Sequence, residues 1–357
     1  MAPLKQPVDA LADHIHPVLD SVDFRFLQCE RTYSKRGAFP DWQTIPYGKW
    51  TRLDEEYASI FKTAKADVVS LASNHALDFG WDALEDTIAM FKRYGMQVVG
   101  AGSDEADAHK PVILEKDGVR VAILAYCSVI RDGWAAWGPH PGICGMRART
   151  WYEPVDFQPG CPPRIMSEAL PGDVARMEDD IRAAKKEAHA VVVCLHWGIR
   201  YIPKVLATYQ TPVAHAAIDA GADVIVGHHA HTLKAIEVYR GKACFYSIGN
   251  FLTTGHQDPN KTATAEWNLF WYERDPTSNY GFPDHCREAV LPKLTFSAAG
   301  LETVAMQPVY INHAAQPVPV RSGDQDFEKV LTKLNWVSKE FGTELAVRDD
   351  EIVVKTQ

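Results

Sequence analysis

No Cys-x-x-Cys pair occurs in this chain, and its 7 cysteines, an odd number, are scattered from Cys29 to Cys286. That scatter excludes a zinc–thiolate site, and Cys127 and Cys194 lie inside apolar runs, where a reduced thiol acts as a small core hydrophobe. Positive charge is in short supply: 37 Lys and Arg stand against 46 Asp and Glu, for a net charge of −9. Nucleic acid is thereby excluded as the main partner, because phosphate binding needs a basic surface; a small or polymeric anionic substrate is not, since a pocket can differ from the global charge. No apolar run reaches about 18 residues, so no membrane-spanning helix is expected. The opening Met-Ala-Pro-Leu-Lys-Gln-Pro-Val lacks a basic segment leading into an apolar one, so no signal peptide is expected and the cytoplasm is the default compartment. Internal repeats, low-complexity tracts and a phosphate-cradling glycine loop are missing too.

What the chain does contain is a regular alternation. Apolar runs recur at Val68–Leu71, Val98–Val99, Val119–Ala125, Ala190–Leu195, Val224–Val226 and Ala243–Ile248. Several are continuous rather than alternating, the pattern of strands covered on both faces. Helical spacing lies between them: Leu84, Ile88 and Phe91 in Asp82–Tyr94, then Asp173–Glu187 and Tyr209–Ala220, the last closed by Gly221. The spacing predicts an α/β sandwich with largely parallel central pairing. From about Glu266 the pattern turns β-like through Val290–Phe296 and Thr303–Tyr310. One main domain over 1–320 is expected, with a helical tail over 321–357 packed on it. Residues 131–172, rich in Trp, Pro and Gly and without periodicity, are expected to form an inserted loop over the functional edge.

Three of the strand-like runs end in chemistry. Asp67-Val-Val-Ser-Leu-Ala-Ser leads into Asn74, His75 and Asp78; Val191-Val-Val-Cys-Leu leads into His196-Trp197-Gly198; Val224-Ile-Val-Gly leads into His228-His229-Ala230-His231. Ligands gather at the carboxyl ends of parallel strands. Neutral imidazole suits zinc, manganese or iron, and an amide oxygen is a hard supplementary ligand. If the segment stays extended, His229 and His231 point the same way and reach one ion or two adjacent ones. His14, His16, His109, His140 and His313 have no such company and are read as ordinary surface or core residues.

These residues resemble the CapA family, the capsule or poly-γ-glutamate biosynthesis proteins of the metallophosphatase superfamily. The resemblance runs from about Pro17 to Leu252 through Ser73-Asn74-His75-Ala-Leu-Asp78-Phe-Gly80, Gly100-Ala-Gly102, Leu195-His196-Trp197-Gly198, Gly227-His228-His229-Ala230-His231 and Tyr246-Ser-Ile-Gly249-Asn250-Phe251. It implies two β-sheets flanked by helices, metallophosphoesterase-like, with one or two divalent ions (Mn, Zn or Fe) at one edge. It implies Asn74, His196 and His229 on one ion and His231 with Glu30 on the other. His75 would be an acid or electrostatic stabiliser oriented by Asp78, with Arg200, Asn250 and Trp197 on the substrate side. The family's opening Gly-Asp strand has no counterpart here, so one acidic ligand is expected to be missing or to lie upstream. The implied activity is metal-dependent hydrolysis of an amide or ester. A non-catalytic role in capsule or poly-γ-glutamate synthesis and a phosphoesterase acting on a small metabolite are the alternatives. A homo-oligomer is compatible with all three.

Overall fold

Six strands form the central sheet, in the order Ile236–Tyr239, Lys242–Phe245, Val224–His228, Ala190–His196, Val119–Cys127, Val112–Lys116. The four inner strands are parallel and the two outer ones antiparallel. The computed structural model describes residues 7–39, 51–157, 160–253 and 277–356. The continuous apolar runs are explained by cover on both sides. On one face Val191, Val193, Leu195 and Ile225 pack under helices Pro171–Glu187 and Gln210–Ala220, through Met177, Ile181, Val213 and Ala217. On the other, Val192, Cys194, Val224 and Val226 meet Val68, Val69, Val290, Val304 and Phe327. Each fully buried Val, Leu or Ile contributes about 1.5–3 kcal/mol over its exposed state, so this double-sided core holds the strand ends rigidly.

A smaller parallel sheet joins Phe26–Gln28, Val68–Ser70 and Gln97–Val99. A third, antiparallel sheet pairs Glu288–Ser297 with Gly300–Ile311 and adds Glu351–Val354 and Leu345–Arg348. The onset of β pattern near Glu266 lies outside the described residues. Two expectations need correction. The tail is helical only over Gln325–Ser338, with a further 3-10 turn at Lys339–Phe341; beyond it a hairpin returns to the third sheet, because Ile352 and Val354 are apolar at alternate positions and find a buried face there. Residues 131–172 are not one free loop either. Gly142–Ile143 pairs with Ala101–Gly102, Ile143 and Cys144 are buried, and Ala148–Glu153 and Arg164–Ala169 make a two-stranded hairpin. A cavity of about 280 Å³ lies against this segment, lined in part by Arg131, Asp132, Trp137 and Arg147. No helix among the described residues is long and apolar enough to cross a membrane.

The parallel registers align the strand ends. His196 lies beside His228, and Gln28 beside Ser70, so four carboxyl ends from two sheets finish at one edge.

Candidate metal centre

Each strand end delivers one or two side chains. Glu30 comes two residues after Phe26–Gln28, and Asn74 lies in the turn beyond Val68–Ser70. His196 is the last residue of its strand; Gly198, just beyond, takes φ +83° where the Gln210 side chain leaves no room for a Cβ. His229 and His231 come after Val224–His228, but not as an extended segment. Their φ values are +83° and +55°, a left-handed turn that costs a non-glycine residue about 1–3 kcal/mol and persists only where surrounding structure enforces it. The extended geometry expected for this pair is therefore wrong. The turn separates the two rings by 6.3 Å and sends them to different parts of the site.

Four donors meet around one point. His196 Nε2 is 2.8 Å from Asn74 Oδ1, 3.0 Å from Glu30 Oε1 and 3.2 Å from His229 Nδ1. Glu30, His196 and His229 satisfy the spacing of a metal-binding group. Ligands held about 2.0–2.2 Å from one ion stand roughly 3 to 3.5 Å apart, so the donor set fits a divalent cation. Two further observations support the fit. Glu30 Oε1 is buried with no hydrogen-bond partner among the described residues. A single imidazole proton also cannot serve an amide oxygen, a carboxylate and a second imidazole together.

The electrostatics point the same way. Burial pushes His229 well below its ordinary value, helped by His196 and Arg200; burial also lowers His231, against the pull of Glu30 and Asn250. Burial alone would raise the Glu30 carboxyl, but positive charge on His231 and His196 outweighs it and holds the group well below the usual range. Neutral histidines do not supply that charge permanently, and a divalent cation would.

His231 stands on the far side of Glu30, its Nε2 3.7 Å from Oε2. Its Nδ1 is 2.8 Å from Asn250 Oδ1, and the Asn250 amide donates to His231 O and to Tyr280 Oη. Tyr280 in turn donates to Cys286 O, and Tyr201 and Phe282 pack on the His231 ring. Asn250 orients His231. Trp197 does not lie on the substrate side. Side chains alternate along a strand and its continuation, so Trp197 points away from His196 into the helix-covered core, where it is wholly buried, stacks on Tyr246 and donates to Tyr246 O. Arg200 is half-buried, near enough for its charge to act on His229 and His231.

His75 lies beside the cluster. Its Nδ1 is 2.8 Å from Asp78 Oδ2, which also accepts from Thr51 Oγ1, and its Nε2 is 3.2 Å from Asn74 Nδ2. The network orients Asn74 with its oxygen toward His196 and its nitrogen toward His75. Sequence reasoning gave no role to His228, whose Nδ1 is buried without a partner among the described residues and whose ring burial lowers to about 3. Tyr280 and Phe282 were missed as well, for they stand about 50 residues beyond the histidines and carry no motif.

Comparison with known proteins places these residues in a family context. The family model described as "Bacterial capsule synthesis protein PGA_cap" matches residues 3–254. "PGA biosynthesis protein CapA" of Bacillus subtilis is 32% identical over 247 residues, covering 68% of this chain and 57% of that protein. "Capsule biosynthesis protein CapA" of Bacillus anthracis is 34% identical over 198 residues, 56% of this chain and 43% of that one. The chain thus spans about half the length of these curated relatives. A solved structure titled "Putative 5'-Nucleotidase from Staphylococcus aureus in complex with alpha-ketoglutarate" superposes with a TM-score of 0.45 at 11% identity, over 94% of this chain and 55% of that one.

Proposed function

The chain belongs to the bacterial capsule synthesis protein family PGA_cap, and from that premise we propose that it is a metal-dependent hydrolase cleaving an amide, of γ-glutamyl type, or an ester in an anionic substrate. The observation that carries this reading is the meeting of Glu30, Asn74, His196 and His229 at one point. A divalent ion bound there (manganese, zinc or iron) would supply Lewis acidity and an activated water. His231, on the other oxygen of Glu30, is the place for a second ion. His75, its Nδ1 secured by Asp78, is the candidate acid or electrostatic stabiliser beside the ion. Arg200 attracts an anionic group of the substrate to the same edge.

The test is elemental analysis of protein purified without chelator, and then turnover of a panel of γ-glutamyl amides, esters and phosphoesters with and without added manganese or zinc. Stoichiometric metal with metal-dependent cleavage is expected. Failure to bind either ion sinks the reading. The relatives are named for biosynthesis rather than hydrolysis, which favours a second reading, a non-catalytic component of capsule or poly-γ-glutamate synthesis. Metal binding without turnover on the whole panel supports it.

A further inference from the structure

The hairpin Ala148–Glu153/Arg164–Ala169 stands out from the core with both faces largely exposed. Its two edges differ. Ser167 is bound on its outer side by Thr208, whose hydroxyl donates to Ser167 O at 2.6 Å and accepts from Ser167 N at 2.6 Å. The Arg164–Ala169 edge is therefore covered. Ser167 lies opposite Thr150, and Leu170 N donates to Arg147 O, so Arg149, Trp151 and Glu153 are the residues that bond across the hairpin. The backbone groups of Thr150 and Tyr152 consequently point outward, and no other described segment takes them. Exposed strand edges are usually blunted by lysine, internal proline or a bulge. Over Ala148–Glu153 this one has no lysine, proline or bulge and carries only the opposite charges Arg149 and Glu153, while Trp151, Tyr152 and Ile165 are 38%, 67% and 56% exposed.

We propose that this edge pairs with the same edge of a second copy of the chain, antiparallel about a two-fold axis at Trp151. In that register Thr150 faces Tyr152 of the second copy and exchanges both backbone hydrogen bonds with it. The symmetric pair does the same, giving a continuous four-stranded sheet across the axis. Arg149 falls opposite Glu153 of the other copy, and the two Trp151 rings meet at the axis. Opposite charges and aromatic pairs directly across a ladder stabilise it. Moving the axis by one residue either way keeps the strands antiparallel but sets Arg149 or Glu153 against Trp151, so charge complementarity selects this register. Pro154, with no N–H to donate, ends the ladder. The Ser167–Thr208 clasp ties the paired sheet to the segment beyond Arg200, so the interface would also brace one side of the candidate site.

Sedimentation equilibrium on the full chain tests this. Wild type is expected to be a dimer. Tyr152→Pro deletes an outward N–H without touching the hairpin's own bonds, and should weaken the dimer at least about tenfold. Arg149→Glu places two glutamates opposite each other twice per dimer, and Glu153→Arg does so with arginines. Each alone should weaken self-association by about tenfold or more. An equimolar mixture of the two should recover a heterodimer of near wild-type affinity, because positions 149 and 153 then again carry opposite charges across the axis. Far-UV circular dichroism checks that the hairpin variants remain folded. A monomeric wild type overturns the proposal. So does a dimer that survives all three substitutions, or a mixture that stays monomeric.

Discussion

Replacing His196 and His75 separately by alanine should split metal binding from turnover. His196 Nε2 lies 2.8, 3.0 and 3.2 Å from Asn74, Glu30 and His229. Loss of groups that merely support a ligand already costs about 10–100-fold in affinity, so loss of this donor should exceed about 100-fold, or roughly 2.7 kcal/mol. Turnover should vanish with the metal. His75 bonds Asp78 and the nitrogen of Asn74, leaving the Asn74 oxygen to face His196. Asp78 keeps Thr51 when the ring is removed, so the turn should survive. His75→Ala should therefore retain metal within about tenfold of wild type while kcat falls by about 10²–10⁴, equivalent to about 2.7–5.5 kcal/mol of barrier. Competitive chelator titration and kcat, measured on both variants at saturating manganese or zinc, decide the matter. If His75→Ala loses metal as severely as His196→Ala, His75 is a ligand and its assignment as the acid is wrong.

Asn250→Ala frees the His231 ring and should weaken metal binding by about 10–100-fold without unfolding the chain; unchanged stoichiometry and affinity would remove His231 from the site. His229→Ala should lose metal like His196→Ala, and full occupancy in that variant would contradict the four-donor geometry. Lys234 is wholly buried, its Nζ donating to Ile202 O and Val205 O, and burial lowers the amine to about 7. From about pH 7 to 10.5 the unfolded chain then carries the extra proton, so stability should rise with pH across that window by at most ~1.4 kcal/mol per unit, and Lys234→Met should flatten the slope. A flat wild-type profile in chemical denaturation would mean that the two carbonyls keep the amine charged. The same linkage acts at acid pH: His228, lowered to about 3, binds its proton earlier when unfolded, so stability of metal-free protein should fall as pH drops from about 6.5, and His228→Phe should lessen the loss as read by denaturant midpoints.

Much of this protein is written in local pattern. Strands buried on both faces must be continuous in Val, Ile and Leu, so Ala190–His196 and Val224–His228 could be seen without coordinates, as could the helices that alternate with them. That Asn74, His196 and His229 share a site could be read from their positions at strand ends, because parallel strands bring their carboxyl ends to one edge. Other features depend on contacts between distant segments, and periodicity carries no record of those. The 2.8 Å approach of Asn250 to His231, the burial of Trp197 beside Tyr246, and the stacking of Tyr201 and Phe282 on His231 were all decided by packing. The hairpin at 148–169 was hidden because its strands are exposed on both faces, so no buried face imposes an apolar alternation on it. The left-handed turn at His229 and His231 is held by the structure around it and has no glycine to announce it, so only the tertiary fold could separate the two rings and give Glu30 an imidazole on each side.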